Sequence, residues 1–356
     1  MKHLALLTTL LATAPAMGQS IPAWSPDDMQ TMTDHITDGR YGTVTSLLIM
    51  RDGVVVYEDY FNGADADTRH DTRSATKTIT GMAVGLAIED GYLSLSTPLA
   101  PYFADNAPFA DPDPRKGEIT PYDLITMTGP LECDDWNEWS RGNEERMYMV
   151  EDWAGFFWDL PIRTTRPWEQ PAEERPHGRA FSYCTTGVQI LGASVAHASN
   201  EPLDEYLQRR LFDSMNIPQP EWQRLAGRDA FAGGGLRFRT RDLGQLAELY
   251  RNDGVHEGER LIASDWVEMS LREHVIIPDI EGRGYGFLWW RRDFDVAGTI
   301  GTAFEMTGNG GNRVSILPEL GVVVVVTKTD FNTQGMHDRT DELIQLEIVE
   351  RVIAAQ

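Results

Sequence analysis

Lysine is almost missing from this chain. Among 356 residues and 31 Lys plus Arg, the lysines are Lys2, Lys77, Lys116 and Lys328. Arginine serves nearly everywhere else, so a retained lysine points to work a guanidinium cannot do, such as giving up its proton. Cysteine is limited to Cys133 and Cys184, and neither sits in a C-x-x-C pair, which argues against a zinc or dithiol motif. No later segment approaches 18 uninterrupted apolar residues, so no stable membrane insertion is expected. Clustered basic charge is lacking too: the formal net charge is -24, the wrong sign for nucleic acid or anionic lipid as a partner. There is no Gly-x-Ser-x-Gly elbow, His-Glu-x-x-His, Walker loop or complete Gly-x-Gly-x-x-Gly. The eight histidines, His70 and His337 among them, have no metal-ligand spacing. Metal and cofactor are therefore both left out of the expected site.

What is present begins with "MKHLALLTTLLATAPAMGQS". One lysine, an apolar run from Leu4 to Ala12 and a small-residue end form the layout of a secretory signal over residues 1–19. The mature protein is expected to be secreted or periplasmic, where a disulfide persists.

Periodicity then gives a coarse map. "SPDDMQTMTDHITDG" reads as a helix capped by Ser25 and closed by Gly39. "TVTSLLIM" and "VVVYEDYF" are β-rich runs around Asp52-Gly53, a hairpin signal. Ile79, Met82, Ala83, Leu86 and Ala87 have the spacing of a buried helical face, with Gly91 as its stop. Residues 95–280 carry mostly helix and loop signals, with no strong strand pattern. Strands return in "GYGFLWWRR", "NRVSILPE" and "GVVVVVTK", the last two joined by a turn at Pro318–Gly321, and a helix over about 339–354 closes the chain. An α/β (α+β) fold follows: an antiparallel sheet from residues 20–94 and 281–356, flanked by helices, with a mainly helical insert over 95–280.

Ser74 and Lys77, in "RSATKT", stand three apart at the start of a helix, so the amine can reach the hydroxyl. A partly buried lysine can act as a base. Further along, "FSYCTTG" offers Tyr183 as a second proton handler and Thr185 as a hydrogen-bonding neighbour. In "GNGGNR", Asn309, Gly310, Gly311 and Asn312 precede a strand, where glycines let a substrate carbonyl approach the backbone.

Ser-x-x-Lys, then Tyr-x-Thr, then Gly-Gly at a strand start resembles the serine β-lactamase and penicillin-recognising superfamily, closest to its class C-like branch of esterases, amidases and β-lactamase-related hydrolases. Supporting stretches in the same order are "LITMTGPL", "GGGLRFRTRDLGQLAELY", "GYGFLWW" and "GNGGNRVSILPELGVVVVV". The resemblance implies a β-lactamase/transpeptidase-like fold, Ser74 as nucleophile, Lys77 and Tyr183 as the proton-transfer pair, and an oxyanion hole from the N–H groups of Ser74 and Asn312. Thr185, Asn309, Gly310 and Gly311 would contact a small-molecule ester or amide substrate. Two departures stand out: the family's Lys-Thr-Gly is replaced here, its corresponding positions reading Asn309-Gly310-Gly311, and Thr185 stands where class C enzymes have Asn. Both weaken β-lactam recognition without touching the acyl-transfer groups. Alternatives on the same fold are a cell-wall D-amino-acid peptidase, a true β-lactamase, or a non-catalytic binding protein.

The resemblance also brings the segment after "ITMTGPL" against the Tyr183 loop, which implies a Cys133–Cys184 disulfide. It places the aromatic-rich stretch 133–168 beside the cleft, where core packing and an apolar pocket compete for Trp136, Trp139, Tyr148, Trp153, Phe156, Phe157, Trp158 and Trp168. Asp134, Asp135, Glu138, Glu144 and Glu145 in that stretch would disfavour anionic substrates.

Overall fold

The computed structural model describes residues 24–164, 180–225, 229–277, 280, 282–296 and 298–355. The expected export signal and Trp168 lie outside them.

An eight-stranded antiparallel sheet forms the spine. Its N-terminal strands are β1 (Val44–Arg51) and β2 (Val54–Tyr60). The C-terminal ones are β3 (Val275–Ile276), β4 (Arg283–Tyr285), β5 (Trp290–Val296), β6 (Thr299–Gly308), β7 (Asn312–Leu317) and β8 (Val322–Lys328). Their order is β3-β4-β5-β6-β7-β8-β1-β2, so the two ends of the chain meet where β8 pairs with β1. The β1–β2 turn puts Asp52 and Gly53 at φ 49° and 81°, the left-handed pair that a tight hairpin asks of Asp-Gly.

Both faces of the sheet are covered, which explains the unbroken valine run of β8. Val323 and Val325 enter one core, whereas Val322, Val324 and Val326 enter the other. A strand buried on both sides has no polar face to alternate with. The second core is closed by helix α1 (Pro26–Thr37), where Ser25 and Asp28 make a capping box, and by the C-terminal helix that begins at Met336.

On the other face lies α2 (Thr76–Glu89), entered through a single 3-10 turn at Arg73–Ala75. Every residue of α2 from Thr76 to Ala87 is buried, so the expected apolar face has become a fully enclosed helix. It packs on α3 (Thr185–Ser199) and strand β6, and the same layer holds α4 (Thr240–Arg251). Helix α4 sits on β1, β7 and β8, with the Thr240 hydroxyl 2.6 Å from that of Ser46. Residues 240–251 and 275–276, inside the stretch expected as a helical insert, thus pack on the sheet or join it. That stretch also contributes short strands: Leu236–Phe238 pairs with both His70–Asp71 and Glu221–Trp222.

Candidate active site

The start of α2 meets the sheet at one place. Arg73 adopts φ 50°, an uncommon conformation for a residue with a side chain and a small store of strain. The turn leaves Ser74 half-buried at its tip while Lys77, one turn on, is 1 % exposed. The Lys77 amine lies 2.9 Å from Ser74 Oγ and donates to the Gly233 carbonyl at 2.6 Å. Gly233 is close because it has no side chain: a Cβ there would lie 2.6 Å from Thr185 Cγ2. The neighbouring Ala232 carbonyl is tied to α2 by the Thr80 hydroxyl at 2.8 Å, which fixes the loop that holds the lysine.

Tyr183 completes the group. Its ring lies 5.1 Å from the Lys77 amine, and its phenol lies near enough to Ser74 to interact with it. Burial drives the lysine's pKa down, opposed by the carboxylates of Glu144 and Asp135. Burial also drives the Tyr183 phenol up, with the neighbouring Ser74 opposing. The two shifts differ in consequence: burial favours the free amine of the lysine and the protonated form of the phenol.

The Tyr183 turn is fastened to the segment before it. Cys133 and Cys184 are joined by a disulfide with an S–S distance of 2.02 Å. Asp135 N–H donates to the Tyr183 carbonyl at 2.8 Å, and the Ser182 hydroxyl donates to the Cys133 carbonyl at 2.6 Å. Trp136 stacks 5.8 Å from the Tyr183 ring, with Trp290 5.6 Å away on another side. Of the aromatic stretch, then, Trp136 walls the site, whereas Trp153, Phe157 and Trp158 are core.

The β6–β7 hairpin contributes differently from expectation. Asn309 bonds Asn332 through its side chain, Gly310 packs on Phe331, and Gly311 lies under Met336 and Thr340. The Asn312 side chain donates to the Asp71 and Asn309 carbonyls and accepts the Lys328 N–H. The residue that touches the serine turn is Gly308, where a Cβ would fall 2.1 Å from the Thr72 carbonyl oxygen and 3.3 Å from Ala75 N. The strand segment beside Ser74 therefore reads Met306-Thr307-Gly308, keeping Thr-Gly and replacing the family's lysine with a buried methionine. This shifts by three residues the correspondence expected at Asn309–Gly311. Thr185 is fully buried and gives its hydroxyl to Glu144 at 3.0 Å. Arg313 points away from the site into a buried cluster with Glu305 at 2.7 Å and Asp341 at 2.6 Å. His337 lies beside that cluster, where burial lowers its pKa to about 4. Among the described residues, no group of three or more His, Cys, Asp or Glu side chains is arranged to hold a metal.

Gly233, Gly308 and the contacts of Asp135 with the Tyr183 turn escaped the sequence reading. "AGGGL" and "MTGNGG" show glycines, but which glycine meets the serine turn depends on packing alone.

An antiparallel sheet with a helical layer, and at their junction a serine hydroxyl against a buried amine, define the β-lactamase/transpeptidase-like serine hydrolases. The chain belongs to the Beta-lactamase family, whose model matches residues 30–347. It is 26% identical over 262 residues to the 6-aminohexanoate-dimer hydrolase of Paenarthrobacter ureafaciens, covering 69% of this chain and 60% of that protein's length. Among solved structures, an octameric penicillin-binding protein homologue from Pyrococcus abyssi superposes with TM-score 0.66 at 18% identity, covering 91% of this chain and 77% of that one. A mutant of the simvastatin synthase of Aspergillus terreus does so with TM-score 0.66 at 15% identity, covering 97% and 99%. The shared fold thus spans relatives named for quite different activities.

Proposed function

We propose that the chain is an exported enzyme that hydrolyses a small ester or amide through an acyl-enzyme on Ser74. One observation carries the reading: the buried Lys77 amine sits 2.9 Å from Ser74 Oγ while the Gly233 carbonyl takes one of its N–H bonds. With that N–H engaged, the free amine can turn its lone pair toward the serine. Ser74 Oγ attacks the substrate carbonyl as its proton passes to Lys77, and Tyr183 gives its proton to the leaving alcohol or amine and recovers one from Lys77. Water then attacks the acyl ester, giving up a proton to Lys77, and the same pair passes a proton to Ser74 Oγ as the acid is released. The oxyanion rests on the Ser74 N–H and on an N–H beside Gly308, where Asn309 is the first residue beyond the strand.

The buried Met306 offers no charge for a substrate carboxylate, which ranks an uncharged ester or amide above a β-lactam or a peptide C-terminus. The relative named a 6-aminohexanoate-dimer hydrolase supports the amide bond as the one cleaved, although the dimer of its name ends in a carboxylate and so does not support the uncharged ranking. Export rests on the signal-like first nineteen residues. A fluorophosphonate probe tests the mechanism: one adduct on the wild type and none on Ser74→Ala is expected, and failure of fluorophosphonate, penicillin and activated-ester probes alike would leave a binding protein. A panel of p-nitrophenyl esters, linear amides, D-amino-acid amides and a chromogenic cephalosporin tests the substrate. Efficient cephalosporin turnover would overturn the ranking.

A further inference from the structure

Two carboxylates stand behind the proposed proton-transfer pair, and the mechanism above does not use them. Asp135 and Glu144 lie on the segment that the disulfide binds to the Tyr183 turn. Asp135 grips that turn at both ends: its own N–H donates to the Tyr183 carbonyl at 2.8 Å, and its Oδ2 accepts the Thr185 N–H at 2.7 Å. Its other oxygen accepts the Glu144 N–H at 2.9 Å. Glu144 Oε2 accepts the Thr185 hydroxyl at 3.0 Å and the Tyr148 hydroxyl at 3.3 Å. Both oxygens of Asp135 are thus engaged by backbone, while Glu144 is held by hydroxyl groups alone.

We propose that Asp135 and Glu144 are positioning residues for the reaction at Ser74: Asp135 fixes the turn that carries Tyr183, and the pair sets the charge facing Lys77. The proposal rests on the acyl-enzyme reading above. Three physical facts support it. Thr185 is the first residue of α3, so the Asp135 carboxylate caps the positive end of a fifteen-residue helix. Asp135 and Glu144 are the charged groups that act on Lys77 among the described residues, and both favour its ammonium form against burial. The other ionisable groups packed around the pair are Tyr183, which stays a phenol, and Tyr148, which burial and Glu144 push the same way. Asp135 itself is raised to about 7, by burial first and then by Glu144, with Lys77 opposing. A proton gained or lost by Asp135 therefore changes the charge that Lys77 meets.

Glu144→Gln separates charge from geometry, because the amide oxygen still accepts both hydroxyls. Without the negative charge the ammonium is less favoured, so the free amine persists to lower pH. The acid limb of the kcat/KM profile should move down by about one pH unit. Glu138→Gln, an exposed charge of the same segment, should leave the limb in place. Asp135→Asn presents only one acceptor to two N–H groups and should lower kcat by roughly 10²-fold with KM within about twofold, as a displaced proton donor would. Thermal midpoints monitor folding, and if the Asn variant fails to fold, the Gln variant decides alone. An acid limb unmoved in Glu144→Gln, with Ser74→Ala inactive, overturns the positioning role while leaving the acyl-enzyme intact. Turnover by Ser74→Ala overturns both.

Discussion

Gly308→Ala puts a methyl group where the structure has no room for one. The added Cβ would lie 2.1 Å from the Thr72 carbonyl oxygen, 3.2 Å from its carbon and 3.3 Å from Ala75 N. An ordinary carbon–oxygen contact is about 3.3 Å or more, so strand and serine turn must separate by roughly 1 Å. None of the three atoms belongs to a side chain that could rotate aside. Overpacking of this kind costs about 1–3 kcal/mol, which a protein of this size should survive with a modestly lowered midpoint. Catalysis is less forgiving: a shift of about 1 Å between Ser74 and its proposed oxyanion donors should cost on the order of 10²-fold in kcat/KM. The assay is p-nitrophenyl ester hydrolysis with circular dichroism as the folding control. Gly310→Ala is the comparison, since its Cβ would meet Phe331 and the Lys328 carbonyl rather than the backbone of the serine turn, at a φ of +90° that strains any side chain. It should lose stability but keep its rate within about tenfold. If Gly308→Ala keeps wild-type turnover while Gly310→Ala loses it, the assignment of Met306–Gly308 to the site is wrong.

Three further outcomes are expected. Lys77→Arg retains the charge but cannot deprotonate, so it should lose roughly 10²- to 10⁴-fold in rate and lose fluorophosphonate labelling; a variant near wild-type turnover would remove the lysine from the chemistry. Reduction of the Cys133–Cys184 bridge, which spans a sequence separation of 51, should lower unfolding free energy by up to about 4 kcal/mol and reduce activity before global unfolding. Alkylation of the denatured, unreduced protein checks the bridge: two labels would refute it. His70 is buried beside Thr45 with its pKa lowered by burial to about 4, so its neutral form contributes stability fully above the unfolded value near 6.5. That contribution, about 3 kcal/mol at most, disappears as pH falls through about 4. His70→Gln should flatten the acid side of a midpoint-against-pH curve; an unchanged slope would place the titration elsewhere.

The sequence by itself determined the features that depend on short range. Ser25, Asp52-Gly53, Pro318–Gly321 and the apolar spacing from Ile79 to Ala87 each specify a local conformation, and each takes it. The spacing from Ser74 to Lys77 also sufficed, because one helical turn brings those groups together wherever the helix sits. Strand β6 was illegible for the opposite reason. Its Gly301 and its buried Glu305 look unlike a strand core until Arg292 and Arg313 arrive from neighbouring strands to pair the carboxylate. Arg313 likewise could not be aimed from sequence, since its direction is chosen by Glu305 and by Asp341 of the C-terminal helix. Only the tertiary structure decided that Gly308 meets the serine turn, that Gly233 holds the lysine, and that Asp135 grips the Tyr183 turn. Each of these is a contact between segments far apart in the chain, set by how whole layers pack, and a pattern read along the chain carries no record of which residue ends up opposite which.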